Sequence, residues 1–290
     1  MTQTAYLASH VKRARRTNAE LDRIDDHIWF ACNAEHPVTL RGVYYRVVSA
    51  GAVEKTEAGY QLVGRQLLKL RRNGEIPYSW ITDGTRFTLK PNTWTDLDAM
   101  LDDAAASYRR ALWHNQPVEV MILSEKDAIT GAILPITEKW DVPLGIVRGY
   151  SSETFAHSVA AGVSASDKPV FLYQLGDHDP SGVDAWNSFT ERIRGFAPDA
   201  DVTFERLAVT EAQINTMNLP TRPTKTTNSR SRNFTGESVE VDAIPASVLR
   251  RLVEDAIVGH VDSEQLRLMG IAEQSERDIF SAMVDFRESL

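Results

Sequence analysis

The chain has 290 residues, a hydrophobic content of 42%, one cysteine and a formal net charge of −8. Composition excludes global disorder, the single Cys32 excludes an internal disulfide and a cysteine-rich zinc site, and no apolar run approaches the ~18 residues of a membrane span. Bulk acidity argues against nucleic acid, yet the charge is divided: residues 1–90 hold 14 Lys+Arg and 9 Asp+Glu (+5), and the remaining residues hold 18 and 31 (−13).

In chain order, MTQTAYLASHVKRARR lacks an apolar core of signal-peptide length, so a cytoplasmic protein is expected. Residues 5–32 are expected to be helical, with Leu7, Val11, Leu21, Ile24 and Ile28 near helical spacing. Thr39 is placed to cap a short helix, LRGVYYRVVSAG, stopped by Gly51. Thr56 caps the next, with Tyr60, Val63, Leu67, Leu68 and Leu70 as its apolar set and Gly74 at its end. EIPYSWITDGTRFTL reads as a small β-ribbon around Pro77 and Asp83-Gly84. Helix, helix, ribbon is the order of a winged-helix module, whose second helix enters the major groove. Arg65, Lys69 and Arg72 on that helix are then expected to face DNA phosphates.

Residues 91–116 read as a helical connector. Beyond it the pattern becomes α/β: the apolar runs VEVMIL, VPLGIVRG and PVFLYQLG alternate with helical segments, as in a parallel sheet. Domain bounds are accordingly drawn at 1–90, 91–116 and 117–290. Residues 212–236 form a loop with no acid and four cations, Arg222, Lys225, Arg230 and Arg232, a second DNA-facing surface. A short strand, SVEVDAI, and a final helix pair follow.

Ligands of parallel sheets bind beyond the carboxyl ends of the strands. Glu125 follows the strand VEVMILS; Asp177 and Asp179 follow PVFLYQLG. Three carboxylates there make an all-oxygen site suited to Mg²⁺, or Mn²⁺, rather than zinc. An aspartate pair of this kind is also the mark of a capped turn, and two tyrosines on a short apolar helix are also the mark of a core. Lys126 is either a phosphate contact or a solvated side chain.

The ordered motifs SEKDAI (124–129), RGYSSET (148–154) and LGDHDPSG (175–182) resemble those of a Toprim domain, in the version found in the A subunit of topoisomerase VI and its relative, the transesterase of meiotic double-strand breaks. TLRGVYY (39–45) resembles that family's winged-helix motif, with Gly42 where the family has an acid, and SVEVDAI (238–244) resembles its terminal E-[IL]-x-A-L segment. The length resembles the compact stand-alone A-subunit homologues of phages and mobile elements. The resemblance implies a winged-helix plus Toprim fold, Tyr45 as nucleophile with Arg41 one turn before it, a metal on Glu125, Asp177 and Asp179, and a homodimer leaving 5′-phosphotyrosyl breaks in double-stranded DNA. An ATPase B-type subunit would be a separate partner, since the chain has no GxxxxGK[ST] signature. Two alternatives stand beside it: a Toprim nuclease using water, and a DNA-binding accessory protein with an inactive site.

Overall fold

The computed structural model describes residues 16–82, 90–223 and 237–288. Helix α1 (Asn18–Glu35) begins where Thr17 and Glu20 cap each other's backbone N–H groups, and it buries Ile24, Ile28, Ala31 and Cys32 at i, i+4, i+7 and i+8. It therefore starts later and ends later than its apolar spacing suggested; residues 5–15 lie outside the described residues. Thr39 caps α2 (Leu40–Ser49) through Gly42 N–H. Thr56 caps α3 (Glu57–Arg72) through Gly59 N–H. Gly51 and Gly74, with φ of 71° and 78°, turn the chain just past these helices.

The expected ribbon is not present in 75–82. Tyr78–Trp80 is a single 3₁₀ turn, and Ile81 makes one isolated parallel bridge to Val38; residues 83–89 lie outside the described residues. Pro77 has no N–H to give a ladder, which suits a turn better than a strand. The connector is helical in part, as α4 (Leu97–Ser107) and a 3₁₀ turn at Leu112–Asn115.

The second half is mixed α/β around a four-stranded, all-parallel sheet. Strands β1 (Glu119–Ser124), β2 (Leu144–Ile146), β3 (Val170–Leu175) and β4 (Val202–Ala208) lie in the order β2-β1-β3-β4. Helices α5 (Asp127–Lys139), α6 (Glu153–Ala165), α7 (Pro180–Phe196) and α8 (Glu211–Thr216) follow the strands in turn, and α9 (Ala246–Val258) and α10 (Ser263–Glu288) end the chain. The edge strand β4 was not anticipated, although Val202 and Phe204 alternate with Thr203 and Glu205. SVEVDAI is not a strand of the sheet. Ser238 and Val239 make isolated bridges to Arg222 and His178, and Val241–Ala243 is a 3₁₀ turn. Residues 212–236 are not all loop, since α8 occupies the first of them.

One sheet face packs Leu123 and Leu172 against α6 and α7, centred on the fully buried Phe189. The other packs Ile122 and Leu175 against α5 and α9 in an apolar cluster that continues without a break into Val43, Tyr45 and Val63 of α2 and α3. Each fully buried Leu, Ile or Phe contributes about 1.5–3 kcal/mol. Polar ties reinforce this junction: the Glu35 carboxylate of α1 accepts from Ala246 N–H at 2.9 Å, and Arg250 Nη2 donates to Glu35 O at 3.0 Å. The consequence for function is positional. The face of α2 carrying Arg41 and Tyr45 is fixed against the carboxyl ends of β1 and β3. No helix of the described residues is long and apolar enough to cross a membrane.

Candidate active site

β1 and β3 are neighbours in register, Ser124 opposite Leu175, so the residues leaving their ends meet. Glu125 Oε2 accepts the backbone N–H of Asp177 at 2.9 Å. Two glycines make room for this contact: a Cβ on Gly176 would stand 2.6 Å from Glu125 Oε2, and one on Gly182 would stand 3.1 Å from it and 2.6 Å from Asp177 O. Asp177 Oδ1 accepts from Val241 N–H at 2.9 Å. Asp179 caps α7, its Oδ1 accepting from Gly182 N–H at 2.8 Å, with Pro180 opening the helix. Each of the three anticipated acids is thus oriented by one backbone N–H through one oxygen.

The structure adds two acids to these three. Glu240 and Asp242 enter on the segment after Ser238, and both are buried. Lys126 Nζ lies 2.9 Å from Asp177 Oδ1, 3.1 Å from Glu240 Oε2 and 2.9 Å from Asp242 Oδ2. Arg41 Nη2 lies 3.0 Å from the same Glu240 oxygen, and Arg222 Nη1 lies 3.0 Å from the other. Glu240 is therefore a hub on which three cations converge, one from α2, one from the end of β1 and one from the segment after α8. No local signal marks these two acids: SVEVDAI alternates them with valines, a pattern that by itself would turn the acids to solvent, yet all four residues from Val239 to Asp242 are buried.

Electrostatics follow from this packing. Burial would raise the Glu240 carboxyl, but Lys126, Arg41 and Arg222 hold it below the usual range. Burial would lower the Lys126 ammonium, but Asp242, Asp177 and Glu240 hold it above its usual range. Burial, joined by the charge of Asp177, pushes the Glu125 carboxyl up. Burial also pushes Asp177 up, outweighing Lys126. Arg206 of β4 was also missed, along with its strand. Its guanidinium donates to Gly176 O at 3.0 Å and to Asp177 O, and so braces the loop that carries the acids.

Glu125→Gln is expected to raise the melting temperature of the chelator-treated protein by about 2–4 °C at neutral pH, the equivalent of ~1 kcal/mol. Glutamine still accepts the Asp177 N–H. The raised Glu125 carboxyl means that the folded chain holds its proton more tightly than the unfolded one, so wild type loses stability as pH rises above 4.5. The variant's advantage should shrink as pH falls toward that value, which thermal melts from pH 5 to 8 will show.

Tyr45 is 2% exposed, and its phenol is pushed well up by burial and by Glu240, with Arg41 and Lys126 opposing. It lines a cleft of about 490 Å³ with Arg41, Lys55, Tyr60, Arg222 and Glu240. Lys55 was also unanticipated; its ammonium sits 5.2 Å from the Tyr45 ring centroid and donates to Pro220 O at 2.7 Å. Tyr44 is the packed neighbour, its hydroxyl donating to Thr56 O at 3.1 Å.

The remaining anticipated residues are scattered by comparison. Arg65, Lys69 and Arg72 share an exposed face of α3 at i, i+4 and i+7, but the Lys69 ammonium is paired with Asp25 at 2.9 Å. Lys126, expected at a phosphate or in solvent, is held among the acids instead. Arg222 faces Glu240 and lies 3.7 Å from Asp179. Lys225, Arg230 and Arg232 lie outside the described residues. Among the described residues no three His, Cys, Asp or Glu side chains are grouped to hold a metal ion as they stand. In chemistry the donors do suit a hard divalent ion: all are carboxylate oxygens, and Glu125, Asp177 and Asp179 each have a second oxygen beyond the one fixed by the backbone. Comparison with models of protein families and with curated proteins finds no match to this chain.

Proposed function

We propose that this chain is a DNA-cleaving transesterase like the A subunit of topoisomerase VI, with a winged-helix region over α1–α3 and a Toprim region around the sheet. The observation that carries the reading is the contact chain Arg41–Glu240–Lys126–Asp177, which ties the Arg41/Tyr45 face of α2 to the acids at the strand ends. The Tyr45 phenol gives up its proton as Oη bonds to the DNA phosphorus, the P–O3′ bond breaks, and the 3′ oxygen takes up a proton in exchange, so the proton count is unchanged. The phosphotyrosyl ester conserves the bond energy, so the step can be reversed. Arg41, one turn before Tyr45, neutralises the phosphate. Glu125, Asp177 and Asp179 would hold Mg²⁺ or Mn²⁺, which would supply positive charge to stabilise the phosphoryl transfer. A homodimer cutting both strands of double-stranded DNA, and a separate ATPase B-type subunit for strand passage, complete the proposal.

The burial of Tyr45 favours one second reading, a metal-dependent nuclease in which water replaces the phenol. Incubation with supercoiled DNA and Mg²⁺ or Mn²⁺, followed by a detergent quench, separates the two. The transesterase leaves protein attached to 5′ ends; the nuclease leaves breaks without protein.

Binding is expected to be strongly salt-dependent despite the net charge of −8. Arg65→Gln and Arg72→Gln should each reduce the slope of log affinity against log salt by about 1, the signature of one lost phosphate contact. Binding isotherms between low and physiological salt measure this, and an unchanged slope removes α3 from the DNA interface.

A further inference from the structure

Lys126 is the N-terminal cap residue of α5, and its side chain is 19% exposed. Three carboxylates from two separate segments, Asp177 after β3 and Glu240 and Asp242 after Ser238, bring one oxygen each to within 3.1 Å of its nitrogen. Convergence of three anionic oxygens on one point is the geometry of a cation seat. A second feature points the same way. The Asp242 side chain is fully buried, its Oδ2 faces Lys126, and its Oδ1 has no hydrogen-bond partner among the described residues. A buried carboxylate oxygen without a partner costs free energy, and it is a coordination position that one ammonium does not use.

We propose that the Lys126 ammonium is a tethered cation holding the seat that Asp177, Glu240 and Asp242 would otherwise offer to a second divalent ion. The protein therefore takes one divalent ion, at Glu125, Asp177 and Asp179, instead of two. The count of one rests on the reading under Proposed function; the seat at Lys126 does not. Two-metal sites place their ions about 3.5–4 Å apart and bridge them with shared ligands. Asp177 is the shared ligand here, since it belongs to both acid sets. The ammonium supplies a single positive charge without needing to shed a hydration shell, and its three N–H donors match three acceptors. The N···O distances of 2.9–3.1 Å suit hydrogen bonds. A Mg²⁺ ion at 2.0–2.1 Å would require the ammonium to leave and the oxygens to close in by roughly 1 Å.

The test counts Mn²⁺ bound per full-length chain by electron paramagnetic resonance of the free ion, in ~0.15 M salt so that diffuse surface binding is screened. Wild type should bind one, Lys126→Met two, and Lys126→Met with Asp242→Asn one again. Lys126→Met should also melt below wild type in chelator and gain more from added Mn²⁺. Lys126→Gln, which keeps N–H donors toward the acids, provides the same count should the methionine variant not fold. A wild-type count of two overturns the proposal without any variant, as does a Lys126 variant that binds no more than wild type. A wild type that binds none, beside a Lys126→Met that binds one, removes the Glu125/Asp177/Asp179 site and leaves the tethered cation standing.

Discussion

Tyr45→Phe is expected to abolish the covalent protein–DNA adduct and to lower cleavage below detection, a loss of roughly four orders of magnitude or more. The substitution removes one oxygen from a ring that is 2% exposed and packed at 5.4 Å from Tyr44. The ring's apolar contacts remain, so folding should be intact and the melting temperature close to wild type. Tyr44→Phe serves as the control. It loses a hydrogen bond to Thr56 O, worth about 0.5–1.5 kcal/mol, and should leave the adduct unaffected. The direction of the pH profile follows from the raised phenol. With burial and Glu240 opposing ionisation, adduct formation in wild type should climb as pH increases through the alkaline range, limited by protein stability. Breaks that persist in Tyr45→Phe, with no protein on the 5′ ends, would sink the transesterase reading and install the hydrolytic one.

The helices α2 and α3 were legible to the residue at their starts and to within two residues at their ends, because those ends are written in local chemistry: Thr39 and Thr56 as caps, Gly51 and Gly74 as stops. The apolar runs of β1, β2 and β3 were legible because strands of a parallel sheet are buried on both faces. β4 is an edge strand like β2, but exposed Thr203 and Glu205 interrupt its apolar residues, and that alternating pattern is weaker than a continuous run. Glu125, Asp177 and Asp179 could be picked out because each follows such a run. Glu240 and Asp242 could not, because nothing local says that a segment 115 residues after Glu125 returns to the strand ends; only tertiary packing brings Lys126 to them. Bulk charge was least informative. Five of the 31 acids beyond residue 90 lie in one cluster with Lys126, Arg41, Arg222 and Arg206, so the charge of these five is largely matched within the protein and is not presented to DNA.

Asp177 is where stability and activity should part most clearly. Asp177→Ala and Asp177→Asn are both expected to lower cleavage by about 10²–10³-fold or more, since each removes a charge shared by the metal-ligand set and by Lys126. Their stabilities should diverge. Alanine leaves the Val241 N–H without its acceptor in a buried place, which costs about 1–3 kcal/mol. Asparagine keeps an oxygen for that N–H, and Lys126 retains Glu240 and Asp242. Burial raises the Asp177 carboxyl above its ordinary 3.8, so the folded chain binds that proton more tightly than the unfolded chain. Wild type then loses stability as pH rises from 3.8 through the raised value. Asp177→Asn has no proton to lose in that window. At pH 7 in chelator it should melt at or above wild type while remaining inactive, and Asp177→Ala should melt below both. This ordering marks a residue kept for its chemistry against its own burial. An Asp177→Asn protein that melts well below wild type at pH 7 would instead make Asp177 a structural partner of Lys126, and its activity loss would carry no weight for a metal site.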